Sequence, residues 1–212
     1  ILIDDFLESF NRSLLSNKIP EVWLQNSFPS ILGLNSYMVD LNRRVDFLSG
    51  WLNNGKQPDL IFLGGFFHPE EFLTAVLQIY ARSHKVSFDS LNWMSTPVTL
   101  DQSKSEKLEY GVYIQGLMLE GAKWDPVECQ LIECGEKDLS NELPIIKLVP
   151  TQEKISKEML LKTYECPVFR TQNRGTGALD LPNYIISLYL PTPRAKPDHW
   201  IQRSVAAFIT IQ

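Results

Sequence analysis

Three cysteines and three histidines are the residues of this 212-residue chain best suited to nucleophilic or metal chemistry, and their spacing argues against both. Cys129 and Cys134 are separated by four residues, Cys166 stands apart, and His68, His84 and His199 are scattered. None of them makes the Cys-x-x-Cys or His-Glu-x-x-His pair that would present two ligands to one metal ion. The plainer reading puts Cys129 on the inner face of a strand, Cys134 at that strand's end, and Cys166 in the core as a small hydrophobe. A nucleophile would also need an activating base, and no Gly-x-Ser-x-Gly turn supplies the local signature of one. Asp4-Asp5 and Glu70-Glu71 are paired carboxylates, but each stands at a helix start, where negative charge meets the positive end of the dipole. A phosphate loop requires Gly-x-x-x-x-Gly-Lys followed by Ser or Thr, which the sequence lacks. Its nearest glycine-rich segment, Asn173-Arg174-Gly175-Thr176-Gly177, has no helical pattern after it and one cation, so it reads as a hairpin turn.

Composition narrows the partners. The chain is 44% hydrophobic and 21% charged, ordinary material for a globular core, with a net charge of −5 and a pI near 5.3. An acidic protein is poorly matched to DNA, RNA or the acidic microtubule surface, which are gripped through concentrated Lys and Arg. No run approaches the roughly 20 apolar residues that cross a bilayer, so no membrane partner is expected. An odd, small number of cysteines fits a reducing, cytosolic compartment. The opening Ile1-Leu2-Ile3-Asp4-Asp5 has no Met and no signal-peptide character and is already in helical phase. We therefore expect a piece of a longer polypeptide.

These side chains are positioned by two kinds of element. Ile3, Phe6, Leu7, Phe10 and Leu14 recur at helical spacing. Pro20 can open a short helix carrying Val22, Trp23 and Leu24, which Phe28-Pro29 ends. Leu34, Met38, Leu41, Val45, Leu48 and Leu52 form one stripe of a longer helix that Asn54-Gly55 stops. Asp59 to Leu63 is a short apolar approach to a fourth helix, which starts at Pro69, where a missing N–H costs nothing. Its core face would be Phe72, Leu73, Val76, Leu77 and Tyr80. From Val86 the period shortens to two, and strands are expected near Leu91–Val98, Tyr110–Leu117, Val127–Glu133, Leu143–Val149, Cys166–Thr171, Tyr184–Leu190 and Trp200–Ile211. Pro144 and Pro167 belong at strand beginnings or edges. The expectation is an α+β protein: a helical part of about four helices over residues 1–85, then an antiparallel β-barrel of six or seven strands over 86–212.

Several strings occur in an order that resembles the C-terminal domain of dynein heavy chains: Gly65-Phe66-Phe67-His68-Pro69 running into Phe72-Leu73, Gly111-Val112-Tyr113-Ile114-Gln115-Gly116-Leu117-Met118-Leu119-Glu120-Gly121-Ala122-Lys123-Trp124-Asp125, Tyr164-Glu165-Cys166-Pro167-Val168-Phe169, and Trp200-Ile201-Gln202-Arg203-Ser204-Val205-Ala206. The longer Gly-Val-Tyr-Ile string looks more like axonemal dyneins than the cytoplasmic transport motor. The resemblance implies a non-catalytic domain lying on the AAA+ ring of the same polypeptide and modulating motility in the axoneme of a cilium or flagellum. It implies no cofactor in this segment, with ATP and Mg held elsewhere in the parent motor, and microtubules and other dynein subunits as partners of that parent. On this reading Trp23, Phe66, Phe67, Pro69, Phe72, Trp124, Trp200 and Arg203 are structural and interface residues. The sequence departs from the family at Gly175-Thr176-Gly177-Ala178-Leu179-Asp180-Leu181-Pro182 and at Ser204. An alternative of another class is a free-standing barrel whose aromatics, Trp93 and Tyr113 among them, bind a small ligand or peptide.

Overall fold

The computed structural model describes residues 5–28, 30, 32–135, 140–170, 183–193 and 198–209. They divide into two compact units, one ending at Lys56 and one beginning at Gln57. The glycine-rich segment around Asn173–Gly177 and the family departure at 175–182 lie outside the described residues.

The first unit is helical: α1 (Asp5–Leu15), α2 (Glu21–Gln25) and α3 (Leu34–Asn54). Asn17, in the left-handed region, meets the start of α3 with its backbone. Its carbonyl accepts the Leu34 N–H at 3.0 Å and its side-chain Oδ1 accepts the Asn35 N–H at 3.2 Å. Those are two of the amide groups that a helix start leaves without partners. At the other end Gly55 takes φ +61 and its N–H returns to the Trp51 carbonyl, so the expected stop is in place.

In the second unit β1 (Leu60–Phe62) precedes α4 (Pro69–His84), so the first strand comes before the fourth helix. Pro69 is buried at the first helical position, with Glu70 and Glu71 in the first turn and Arg82 and His84 in the last, as the helix dipole favours. There follow β2 (Asn92–Val98), α5 (Leu100–Ser105), β3 (Val112–Gln115), β4 (Met118–Glu120), β5 (Lys123–Asp125), β6 (Gln130–Ile132), β7 (Asn141–Glu142) and β8 (Ile145–Thr151). After these come α6 (Lys157–Lys162), β9 (Thr163–Phe169), β10 (Tyr184–Pro191), α7 (Asp198–Gln202) and β11 (Ala206–Phe208).

The strands form a four-stranded sheet in the order β1-β3-β8-β2, a five-stranded sheet in the order β10-β9-β11-β4-β7, and a two-stranded β5-β6 pair. None of the three closes on itself, so the expected barrel is corrected to an α+β arrangement of open sheets. Nor is the pairing wholly antiparallel: β1 runs parallel to β3, and β11 parallel to β9. The two larger sheets approach each other at β2 and β10. There the buried Ser95 hydroxyl of β2 accepts the Tyr189 N–H of β10 at 2.6 Å, a side-chain bond between strands of different sheets. Pro97 removes a donor from β2, an edge strand.

Alternation does the inward work expected of it. Ile146, Leu148 and Pro150 of β8 and Tyr164, Cys166 and Val168 of β9 are buried, with outward neighbours less so. Pro144 precedes β8, whereas Pro167 lies inside β9, just before the β11 pairing begins at Val168. Two strand expectations change. Residues 126–129 are a turn, because Asp125 Oδ1 accepts the N–H groups of Val127 and Glu128, and Cys129 sits at φ +51. Cys129 is therefore an exposed turn residue and not an inward-facing one. The segment 200–209 splits into the end of α7 and the short β11, since Asp198 opens a helix that buries Trp200.

Candidate interface surfaces

In the first unit the buried side chains of α3 are Tyr37 and Arg44. Phe28 stacks on Tyr37 at 5.1 Å, and the Arg44 guanidinium lies 3.7 Å from the centroid of the Phe28 ring while its Nε donates to Asp40 at 2.9 Å. Burial pulls the Arg44 pKa below its ordinary value, more strongly than Asp40 restores it. Guanidinium nonetheless stays protonated at any physiological pH. Trp23, on α2, meets Phe10 edge-on at 5.6 Å. Leu7, Leu15, Val22, Leu24, Val39, Val45 and Leu52 are exposed, Leu52 to 81%. The aliphatic stripe of α3 is thus offset from the face the unit closes over. Sequence periodicity located the stripe but gave no sign that an arginine would be one of the two buried residues of α3.

In the second unit the start of α4 gathers four of the residues singled out in the sequence. Phe66 and Phe72 stack at 4.8 Å and nearly parallel, Pro69 is buried, and Phe67 is exposed with its carbonyl turned to Arg170. Arg170, itself buried at the end of β9, donates Nη1 to the Phe67 carbonyl at 2.7 Å and Nη2 to the Glu70 carboxylate. His68 Nδ1 stands 3.6 Å from the same carboxylate. The cluster locks a strand end to a helix start. Sequence reading missed Arg170, whose partners lie a hundred residues away; the adjoining Phe169, which closes one of the family-like strings, was the nearest signal.

Trp200 and Arg203 come together around α7. Trp200 is buried and its Nε1 donates to Thr192 Oγ1 at 2.8 Å. Arg203 Nη2 donates to Glu133 Oε2 at 3.0 Å, and His199 Nε2 lies 3.2 Å from Glu133 Oε1 without hydrogen-bond alignment. Trp124 is buried on β5 opposite Leu131, within the two-stranded pair.

A groove of about 450 Å³ is lined by Pro58, Asp59, Lys104, Lys107, Glu109 and Tyr113, among others. The Tyr113 hydroxyl donates to the Glu106 carbonyl at 3.0 Å, while Lys147 pairs with the Glu106 carboxylate. Burial, helped by Glu106, raises the Tyr113 pKa above its ordinary value. The groove carries charges of both signs, which gives it no preference for an anion or a cation. Among the described residues no three His, Cys, Asp or Glu side chains are grouped to hold a metal ion. None of the described helices is long and apolar enough to cross a membrane.

The family model for the C-terminal domain of the dynein heavy chain matches residues 1–209. Among curated proteins, the sequence is similar to dynein axonemal heavy chain 1 of Homo sapiens, with 35% identity over 211 residues, covering 97% of this chain and 5% of that protein. It is similar to dynein axonemal heavy chain 12 of Homo sapiens, with 38% identity over 210 residues, covering 97% of this chain and 7% of the relative. Dynein axonemal heavy chain 3 of Homo sapiens is 35% identical over 210 residues, with 98% of this chain and 5% of the relative covered. The chain spans about 5 to 7% of the length of these relatives.

Proposed function

Since this protein belongs to the family of C-terminal domains of dynein heavy chains, we propose that it is a non-catalytic, structural and regulatory domain of an axonemal dynein heavy chain. It packs on the AAA+ ring of the same polypeptide and tunes microtubule-based motility in the axoneme of a cilium or flagellum. Nucleotide, Mg and microtubule are then engaged by other parts of the parent motor, alongside its other subunits.

The observation that carries the packing role is the exposed aliphatic surface of the helical unit. Val45 and Leu52 stand in water on a helix whose own unit closes over Tyr37 and Arg44. Apolar surface left open in this way is the mark of a face made to be covered. Trp23 joins α2 to α1 through Phe10, and in the second unit Phe66 stacks on Phe72 at the start of α4, where Phe67 is exposed.

The test is a parent heavy chain from which residues 1–212 have been removed, assayed for ATP hydrolysis and for microtubule gliding. Altered velocity or force with the hydrolytic residues intact is the expected result. Gliding and hydrolysis indistinguishable from the intact motor would end this reading.

A further inference from the structure

Along α3, Leu34, Met38, Leu41, Val45, Leu48 and Leu52 are spaced alternately by four and three residues. That alternation winds six apolar side chains into one seam, the pattern that fits knobs into the holes of a second helix. Val45 is 51% and Leu52 81% exposed, and the other four are half-buried.

The two flanks of the seam differ. On one side Tyr37, Arg44 and Trp51 recur every seventh residue, the first two buried in the unit's own core and Trp51 half-buried against Phe47. On the other side Asn35, Asn42 and Ser49 recur every seventh residue, all exposed and none charged. A symmetric pairing of α3 with α3 of a second copy needs both flanks open, and the Tyr37–Arg44 side is closed. Room remains for one additional helix, laid beside the seam over Asn35, Asn42 and Ser49 and extending the small bundle.

We infer that the α3 seam seats one amphipathic helix from the rest of the parent polypeptide, a helix with its own three-four apolar repeat. This rests on the reading above that the protein is a domain of a dynein heavy chain, and it names the kind of element that covers the domain. The matched relatives have more than nine-tenths of their length outside the matched segment, ample polypeptide to supply such a helix. Asn35, Asn42 and Ser49 put no charge on the open flank, so on this side of the contact salt has little to screen.

The experiment places a photo-crosslinking amino acid at Val45 or at Leu52 in the intact heavy chain, with Asp46, off the seam, as the control position, and maps the products by mass spectrometry. Both seam positions should join to one segment outside residues 1–212 that carries a three-four apolar repeat, with equal yield at low and high salt. Val45→Asp should lower the Leu52 crosslink by roughly tenfold or more, since it forfeits the burial of a Val side chain. Crosslinks confined to this domain, crosslinks between two copies, or yields no greater than at Asp46 overturn the inference. A crosslink to a segment of the parent polypeptide without the repeat also overturns it while leaving ring packing standing. The deletion assay decides ring packing by itself.

Discussion

Arg170 and Arg44 are the two buried guanidinium groups among the described residues, and each is held differently. Arg44 answers its burial with one carboxylate and the face of Phe28. Arg170 answers it with a backbone carbonyl and a carboxylate from the start of α4, joining residues a hundred positions apart. Replacing Arg170 by Met would leave the Glu70 carboxylate and the Phe67 carbonyl short of donors in a half-dry site. We expect a loss of about 2–4 kcal/mol, the range for breaking a buried pair from one side. Glu70→Gln keeps the Phe67 bond and should cost only about 1 kcal/mol. Chemical denaturation of both variants checks the order. Equal, small effects would mean that the cluster is a surface contact in solution.

Two glycines separate backbone conformation from available space at the level of single elements. Gly121, between β4 and β5, has φ +77, and a Cβ there would stand 2.7 Å from the Arg203 carbonyl oxygen and 3.2 Å from a Val205 methyl. That turn and the one after α7 are packed backbone to backbone. Gly121→Ala is expected to destabilise by about 2–4 kcal/mol, combining the left-handed penalty with a contact that backbone atoms must yield. Gly50, inside α3, has nothing within 4 Å of its hypothetical Cβ. Gly50→Ala should therefore stabilise the helix by about 0.5–1 kcal/mol. Thermal melting of the two variants should move in opposite directions.

At the scale of the whole molecule, the four- and five-stranded sheets approach each other at β2 and β10. Ser95 is buried, and its hydroxyl is the partner of the Tyr189 N–H. Ser95→Ala would strand that amide, at a cost of about 1–3 kcal/mol. Hydrogen exchange should show the Tyr189 amide losing protection while Leu188 and Leu190, buried on the inward face of β10, keep theirs. If Tyr189 stays as protected as in the parent, the sheets are held together by packing and not by this bond.

Local signals were legible wherever they act within a few residues. Pro69 with Glu70 and Glu71 fixed the start of α4, Gly55 fixed the end of α3, and the period-two pattern located β2, β3, β8, β9 and β10 to within a few residues. The ordered strings around Phe66, Tyr113, Tyr164 and Trp200 were enough to identify the family. Turn chemistry at Asp125 and the helix opened by Asp198 were masked by apolar neighbours that look like strand. Which face of α3 is buried, the pairing of Arg170 with Glu70, the parallel strands and the open sheets were decided only in three dimensions. Backbone preferences are set by near neighbours in the sequence, whereas burial, long-range ion pairs and sheet closure depend on packing between segments that the sequence keeps a hundred residues apart.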